Sequence, residues 1–423
     1  MSQSPLRLFA TVFLMAFAGL LLPPTALAAG PADNTWTALS PLPQSQDHPL
    51  LALAVDPSDG RVLLAGTASG EIYRSADGGQ SWRLSRAGLG RGVAALSFSP
   101  FRPGFVLAGT RGSGIWRSTD GGLSWQPQPG TESRSARAFS FTKTLALAGT
   151  DQGVLVSHDL GSWAVSGLNQ VTVSALAASA VNEPTRLVAG GDGTRSSEAL
   201  PLFTSGDGGQ SWAPVAGTQA GSSMVAMLTA GPLPSQQTVR PLLLGTNTGL
   251  FLSTDNGSSW QQLTGGGALP ATDFTSAAFV TTHADRFYVA SDGGGAQLGG
   301  LWSTGDTGGH VNSLSPPVPS VTALAVSNDD TPTLYVATFR GGDHSVMLWS
   351  YRDAGGQPRG PAAVPSLAPG TQAKAVGKAP RTGRLWILSL LSGPEAPYLV
   401  LGFIALLVLV LAGVTHFRRA RRL

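Results

Sequence analysis

Three aspartates, Asp151, Asp192 and Asp292, stand in short polar stretches directly after hydrophobic runs. Two carboxylates facing each other across a cleft are what a glycoside hydrolase needs, one as acid and one as base or nucleophile. Arg111, Arg195, Arg340 and the pair Asp343-His344 occupy comparable stretches, where a planar guanidinium can grip a carboxylate or an acidic loop through paired N–H donors. Each has a plainer role: an aspartate after a strand caps its own turn, and a single surface arginine is solvated. That role is the preferred reading residue by residue. The six histidines (His48, His158, His283, His310, His344, His416) show no ligand-like spacing, so no metal site is expected. No glycine-rich loop follows a strand and opens a helix, so no nucleotide or other cofactor is expected. The chain has no cysteine, which removes disulfides, thiolate metal sites and a thiol nucleophile.

These residues must be positioned by a repeat. Four octapeptides match closely: Ser75 to Trp82, Ser118 to Trp125, Ser205 to Trp212 and Ser253 to Trp260, each Ser-x-Asp-(Gly/Asn)-Gly-x-Ser-Trp. A fifth, Ser157 to Trp163, is one residue shorter, and degraded copies surround Asp306 and Asp353. Successive aspartates (Asp77, Asp120, Asp159, Asp207, Asp255) are 43, 39, 48 and 48 residues apart, within or near the period of four-stranded propeller blades. In each copy the carboxylate can accept backbone N–H bonds, the glycines permit positive φ, and the tryptophan (Trp82, Trp125, Trp163, Trp212, Trp260) buries a large ring. The aspartates therefore read as structural, one per repeat at an outer hairpin, and not as a catalytic or metal array. Two further strands precede each box, such as Leu51 to Val55 and Arg61 to Gly66, or Val93 to Phe98 and Phe105 to Gly109.

The pattern resembles the Asp-box, or BNR, repeat. This implies an all-β propeller of four-stranded blades; seven is the preferred count, and eight stays open because Lys374 to Leu390 reads as the opening hairpin of a further unit. Trp36-Thr37-Ala38-Leu39 looks like a strand that follows a box, yet no box precedes it, so it is expected to complete the last blade. Families sharing the repeat include sialidases, some endo-glucanases, sortilin-type receptors and the YCF48-like photosystem II stability and assembly factors. The texture of the chain resembles the last group, which implies binding or assembly. In the repeat family, binding commonly falls on the ring face opposite the boxes, the face carrying the polar stretches named above. A sialidase would need an arginine cluster and a tyrosine nucleophile activated by glutamate. Phe101-Arg102-Pro103 faintly resembles its arginine motif but follows the first box, whereas that motif should precede it, and the chain holds only five glutamates and five tyrosines.

The ends supply an address. Arg7, an apolar run from Leu8 to Leu22 and Ala26-Leu27-Ala28 make residues 1–28 a signal segment by layout. Residues 29–391 form the propeller, 392–397 a linker, 398–417 a transmembrane helix and 418–423 a basic cytoplasmic tail. Tyr398 to Thr415 is 18 residues without a charge, about 27 Å of helix, and the arginines after it favour the cytoplasm. Removing Arg7 and the four C-terminal arginines takes the formal net charge from +3 to −2, so the basic balance belongs to the ends and no nucleic-acid partner is expected. The expectation is a single-pass cell-membrane protein with an extracytoplasmic propeller that binds a protein, peptide or glycan. The alternative is an extracytoplasmic glycoside hydrolase.

Overall fold

The computed structural model describes residues 32–43, 49–179, 186–192, 200–215, 222–234, 239–270, 273–294 and 299–356. All belong to the first of two units, Met1–Val364; the second is Pro365–Leu423. The signal segment, linker, membrane helix, basic tail, the Lys374 to Leu390 hairpin and Arg195 lie outside the described residues. Among those described, no helix is long and apolar enough to cross a membrane.

Seven sheets of four antiparallel strands make a seven-bladed propeller. The inner strands are Leu50–Asp56, Val93–Phe98, Ala136–Phe141, Val173–Ala178, Val225–Ala230, Ser276–Val280 and Val321–Val326, defining blades 1 to 7. Each touches the next around the ring, and the last meets the first. The second strands carry unbroken apolar runs, Leu63-Leu64-Ala65, Leu107-Ala108, Leu147-Ala148 and Leu242-Leu243-Leu244, all with no exposure. Alternation is lost because both faces of each blade are covered by its neighbours, which removes any need for a polar side.

The repeated turn joins the third strand to the outer strand. In blade 1, Asp77 Oδ1 accepts the Ser75 hydroxyl (2.7 Å) and the Ser81 N–H (2.9 Å), while Ser75 Oγ accepts the Gly79 N–H (2.8 Å). Blades 2, 4 and 5 repeat this around Asp120, Asp207 and Asp255. The shorter blade 3 turn keeps Asp159 bonded to the N–H groups of Gly161 and Ser162. In blade 6, His310 replaces the serine and donates its N–H to Asp306.

These turns also join blades. Trp82 packs with Tyr335 and Leu348 of blade 7, Trp125 with Leu64 and Ile72 of blade 1, and Trp212 with Leu145 and Leu147 of blade 3. Each ring thus wedges its own blade against the preceding one. The second glycine of the turn makes that approach feasible: Gly122 has φ +83°, and a Cβ there would lie 2.6 Å from Leu64 Cδ2. Gly122→Ala combines left-handed strain with overpacking against a fully buried leucine, and should cost about 2–4 kcal/mol in a urea melt. A cost under about 0.5 kcal/mol would show that the seam between blades 1 and 2 is loose.

Closure is made by the first and last described strands. Trp36–Ala38 adds the outer strand of blade 7, antiparallel to Ser345–Arg352, in the register Trp36↔Tyr351, Thr37↔Ser350 and Ala38↔Trp349. Trp36 is fully buried, donates its indole N–H to the Leu314 carbonyl (2.8 Å), and lies 4.9 Å from the Tyr351 ring. The strand read from sequence as completing the last blade does so. The degraded turn at Asp353 has acquired a different role. Asp353 is buried and takes an ion pair from Arg286 (2.9 Å) and a hydrogen bond from the Tyr288 hydroxyl (2.6 Å), both from blade 6.

Candidate functional site

The inner and third strands of a blade run in the same direction, so the box turns share one face of the ring with the connection from first to second strand. The turns after the second strands lie on the opposite face, beside the mouth of the central channel. Each inner strand pairs within its sheet on one side only, and therefore leaves an edge of backbone N–H and C=O groups toward the channel. At the loop-face end the channel holds a cavity of about 280 Å³ walled mainly by alanine, leucine and small polar side chains, with Arg137 as the one charged residue among those described.

The turn residues carry out several tasks. Asp151 Oδ1 accepts the Ser135 N–H (2.9 Å), extending the ladder between the first and second strands of blade 3. Asn247 does the same in blade 5 through the N–H groups of Ser223 and Met224. Asp192 of blade 4 forms an ion pair with Arg137 of blade 3 (3.0 Å), both half-exposed. In blade 7, Asp343 accepts the Ser345 N–H and hydroxyl and lies 3.5 Å from Arg340, while the His344 ring stacks on Phe339. Arg111 is exposed in the turn of blade 2. Burial, and then the neighbouring Asp273 carboxylate, push the Asp292 carboxyl up from its ordinary value. Its Oδ1 is enclosed without a hydrogen-bond partner among the described residues. Asp273 is close because Gly294 leaves it room: a Cβ there would lie 2.3 Å from Asp273 Oδ2.

Of the residues singled out in the sequence, the structure joins Arg340 to Asp343 and otherwise distributes the described ones around the ring. It also adds residues that the sequence reading passed over. Arg137 sits inside an inner strand and reads as an ordinary strand residue. Arg86 ends the outer strand of blade 1 and stacks over Trp116 of blade 2, 4.7 Å from the ring centroid, a cation–π contact. With Arg91, Arg111, Arg134 and Arg137, it places five arginines on the loop-face side of blades 1 to 3. Asp273 and Asp292 stand together in blade 6. No group of three or more metal-type side chains occurs among the described residues.

On the other face, the box aspartates are acids held charged. The Ser211 hydroxyl and N–H bring Asp207 down to about 2, and the His310 N–H and ring do the same for Asp306. The Ser162 hydroxyl and N–H lower Asp159 further. For Asp77, Asp120 and Asp255 partial burial works the other way and is outweighed by the equivalent serine and backbone donors. Folded values below the ordinary 3.8 mean that this stabilisation is present above that pH and is lost as pH falls through about 2. The melting temperature is therefore expected to drop between about pH 4 and pH 2, and Asp207→Asn should make that drop shallower. An unchanged acid slope in the variant would remove Asp207 from this account.

No family model matches the chain, and no curated protein matches it. Solved structures do resemble it. The GH74 xyloglucanase from Xanthomonas campestris superposes with a TM-score of 0.55 at 16% identity, covering 75% of this chain and 56% of that one. YCF48 bound to D1 peptide gives 0.54 at 18% identity, covering 76% and 99%. U3-55K gives 0.54 at 15% identity, with the same coverage. The chain spans little more than half the length of the xyloglucanase. At these identities the likeness is one of fold, and it includes both a hydrolase and a peptide-bound propeller.

Proposed function

We propose that this chain is a non-catalytic binding or assembly scaffold that presents the loop face of its propeller to a protein, peptide or glycan. In this proposal the N-terminal apolar segment directs export, and Tyr398 to Thr415 anchors the chain with the propeller outside the cytoplasm and the C-terminal arginines inside. The carrying observation is the state of the loop-face carboxylates. Asp151, Asp192 and Asp343 are each committed to a backbone or arginine partner, and Asp273 and Asp292 belong to a single blade, so among the described residues named here no acid and base face each other across the channel. The arginines of blades 1 to 3 suit an acidic partner surface. The peptide-bound YCF48 propeller supports the reading by fold alone.

Charge reversal at Arg111, Arg195 and Arg340 together should lower recovery of cross-linked partners from cells by at least about tenfold, since loss of even one or two charge-assisted contacts costs roughly 1.5 kcal/mol or more. Unaltered recovery would count against the loop face as the binding surface.

One observation favours a hydrolase instead. A carboxyl raised by burial beside a second carboxylate is the state of a general acid, and Asp292 beside Asp273 has that form. Release of reducing sugar from xyloglucan or other β-glucans, abolished by Asp292→Asn, would make this the better account.

A further inference from the structure

The channel's other mouth, on the box face, differs from the loop-face mouth. Val55, Phe98, Phe141, Leu228 and Val326 help to form a funnel of about 400 Å³, and among the described residues Arg240 is the one charged side chain in its wall. Arg240 precedes the second strand of blade 5, Leu242–Thr246. Its backbone N–H donates to the Ser179 carbonyl (3.3 Å), which ties it to blade 4. Its Nε is enclosed and finds no hydrogen-bond partner among the described residues, and burial holds the guanidinium below the usual arginine value. Three other arginines of the ring have carboxylate partners: Arg137 has Asp192, Arg286 has Asp353 and Arg340 has Asp343. Arg240 is half-buried and has no carboxylate partner among the described residues, and even partial withdrawal of an uncompensated charge from water is costly. An arriving anion would offset that cost.

We propose that this mouth binds the C-terminal end of an apolar peptide, with the terminal carboxylate on Arg240 and the last side chain in the funnel. The shared chemistry is a carboxylate at the end of an apolar chain, and the channel wall selects a peptide as its source. The inner strands expose unpaired backbone edges there. A peptide's amides can satisfy them, whereas an alkyl chain would cover them and leave them unmet. The site uses none of the loop-face turn residues or arginines, although the two cavities share wall residues such as Leu228, so loss of binding through the loop-face arginines does not decide this site.

The test uses the full-length chain in lipid nanodiscs and a fluorescein-labelled Ala-Val-Leu-Phe peptide, as the free acid and as the C-terminal amide. The acid should bind at least about tenfold tighter than the amide, in keeping with a bidentate arginine–carboxylate pair. Arg240→Met should erase that preference while leaving the melting temperature equal or higher, and Arg240→Lys should keep part of it. Equal binding of acid and amide by the unaltered chain would overturn the proposal without recourse to any variant. So would an acid preference that survives in Arg240→Met. Decanoate that displaces the peptide at equal concentration would overturn the assignment of a peptide.

Discussion

Trp36→Ala is expected to destabilise the propeller by about 3–5 kcal/mol, the range for removing a large aromatic ring from a close-packed site. Three contributions vanish together. The ring is fully buried among Tyr288, Leu301 and Leu314, its N–H bonds the Leu314 carbonyl, and it packs against Tyr351. The three residues of its strand are also what completes blade 7. A closed ring has no exposed sheet faces at its seam; once the closing strand frays, blade 7 presents the edge of Ser345–Arg352 to solvent. The effect should exceed that of the exposed outer-strand substitution Leu84→Ala, which removes a side chain half open to water. Urea melts of the two variants give the comparison. A loss below about 1 kcal/mol for Trp36→Ala would mean that the terminal strand decorates the ring without closing it.

Asp353→Asn is expected to cost about 3 kcal/mol by a different route. Removing one partner of a largely buried ion pair leaves the other charge uncompensated, and here Arg286 would lose its carboxylate while staying between blades 6 and 7. The Tyr288 phenol, pushed well above its usual value by burial and then by the Asp353 charge, remains a protonated donor. An asparagine has one oxygen to meet the demands of Tyr288, Arg286 and the Gly355 N–H, where the aspartate has two. The Arg286→Met/Asp353→Asn double variant should recover part of the loss, giving a coupling of about 1–3 kcal/mol. Simple additivity would show that the pair is not energetically linked.

Both sites show how far the sequence could be read. The turns around Asp77, Asp120, Asp207 and Asp255 are legible because their hydrogen bonds close within seven residues, so spacing alone displays the chemistry. Trp36 is legible for a related reason: it has the form of a strand that follows a box and lacks the box. Asp353 is recognisable as a worn copy of the turn, but its partners Arg286 and Tyr288 lie 67 and 65 residues away and meet it only through ring geometry. The candidate site follows the same logic. The loop face could be identified from the order of strands and turns. The pairing of Arg137 with Asp192, 55 residues apart, and the enclosure of Arg240 required knowing which blades touch. Nothing in a strand such as Ala-Arg-Ala-Phe marks its arginine as a channel residue, because inner strands of a propeller carry whatever fits the bore.

The central claim is that the partner of the proposed scaffold docks on the loop face, independently of any peptide end held in the channel mouth at Arg240. Its most direct test is site-specific photo-cross-linking in cells, with a photoreactive residue placed at Ser113 on the loop face or at Gln80 in a box turn. The account predicts a discrete cross-linked species from position 113, lost on charge reversal at Arg111 and Arg340, and none from position 80. Equal adducts from both faces, or a position-113 adduct indifferent to charge reversal, would contradict it.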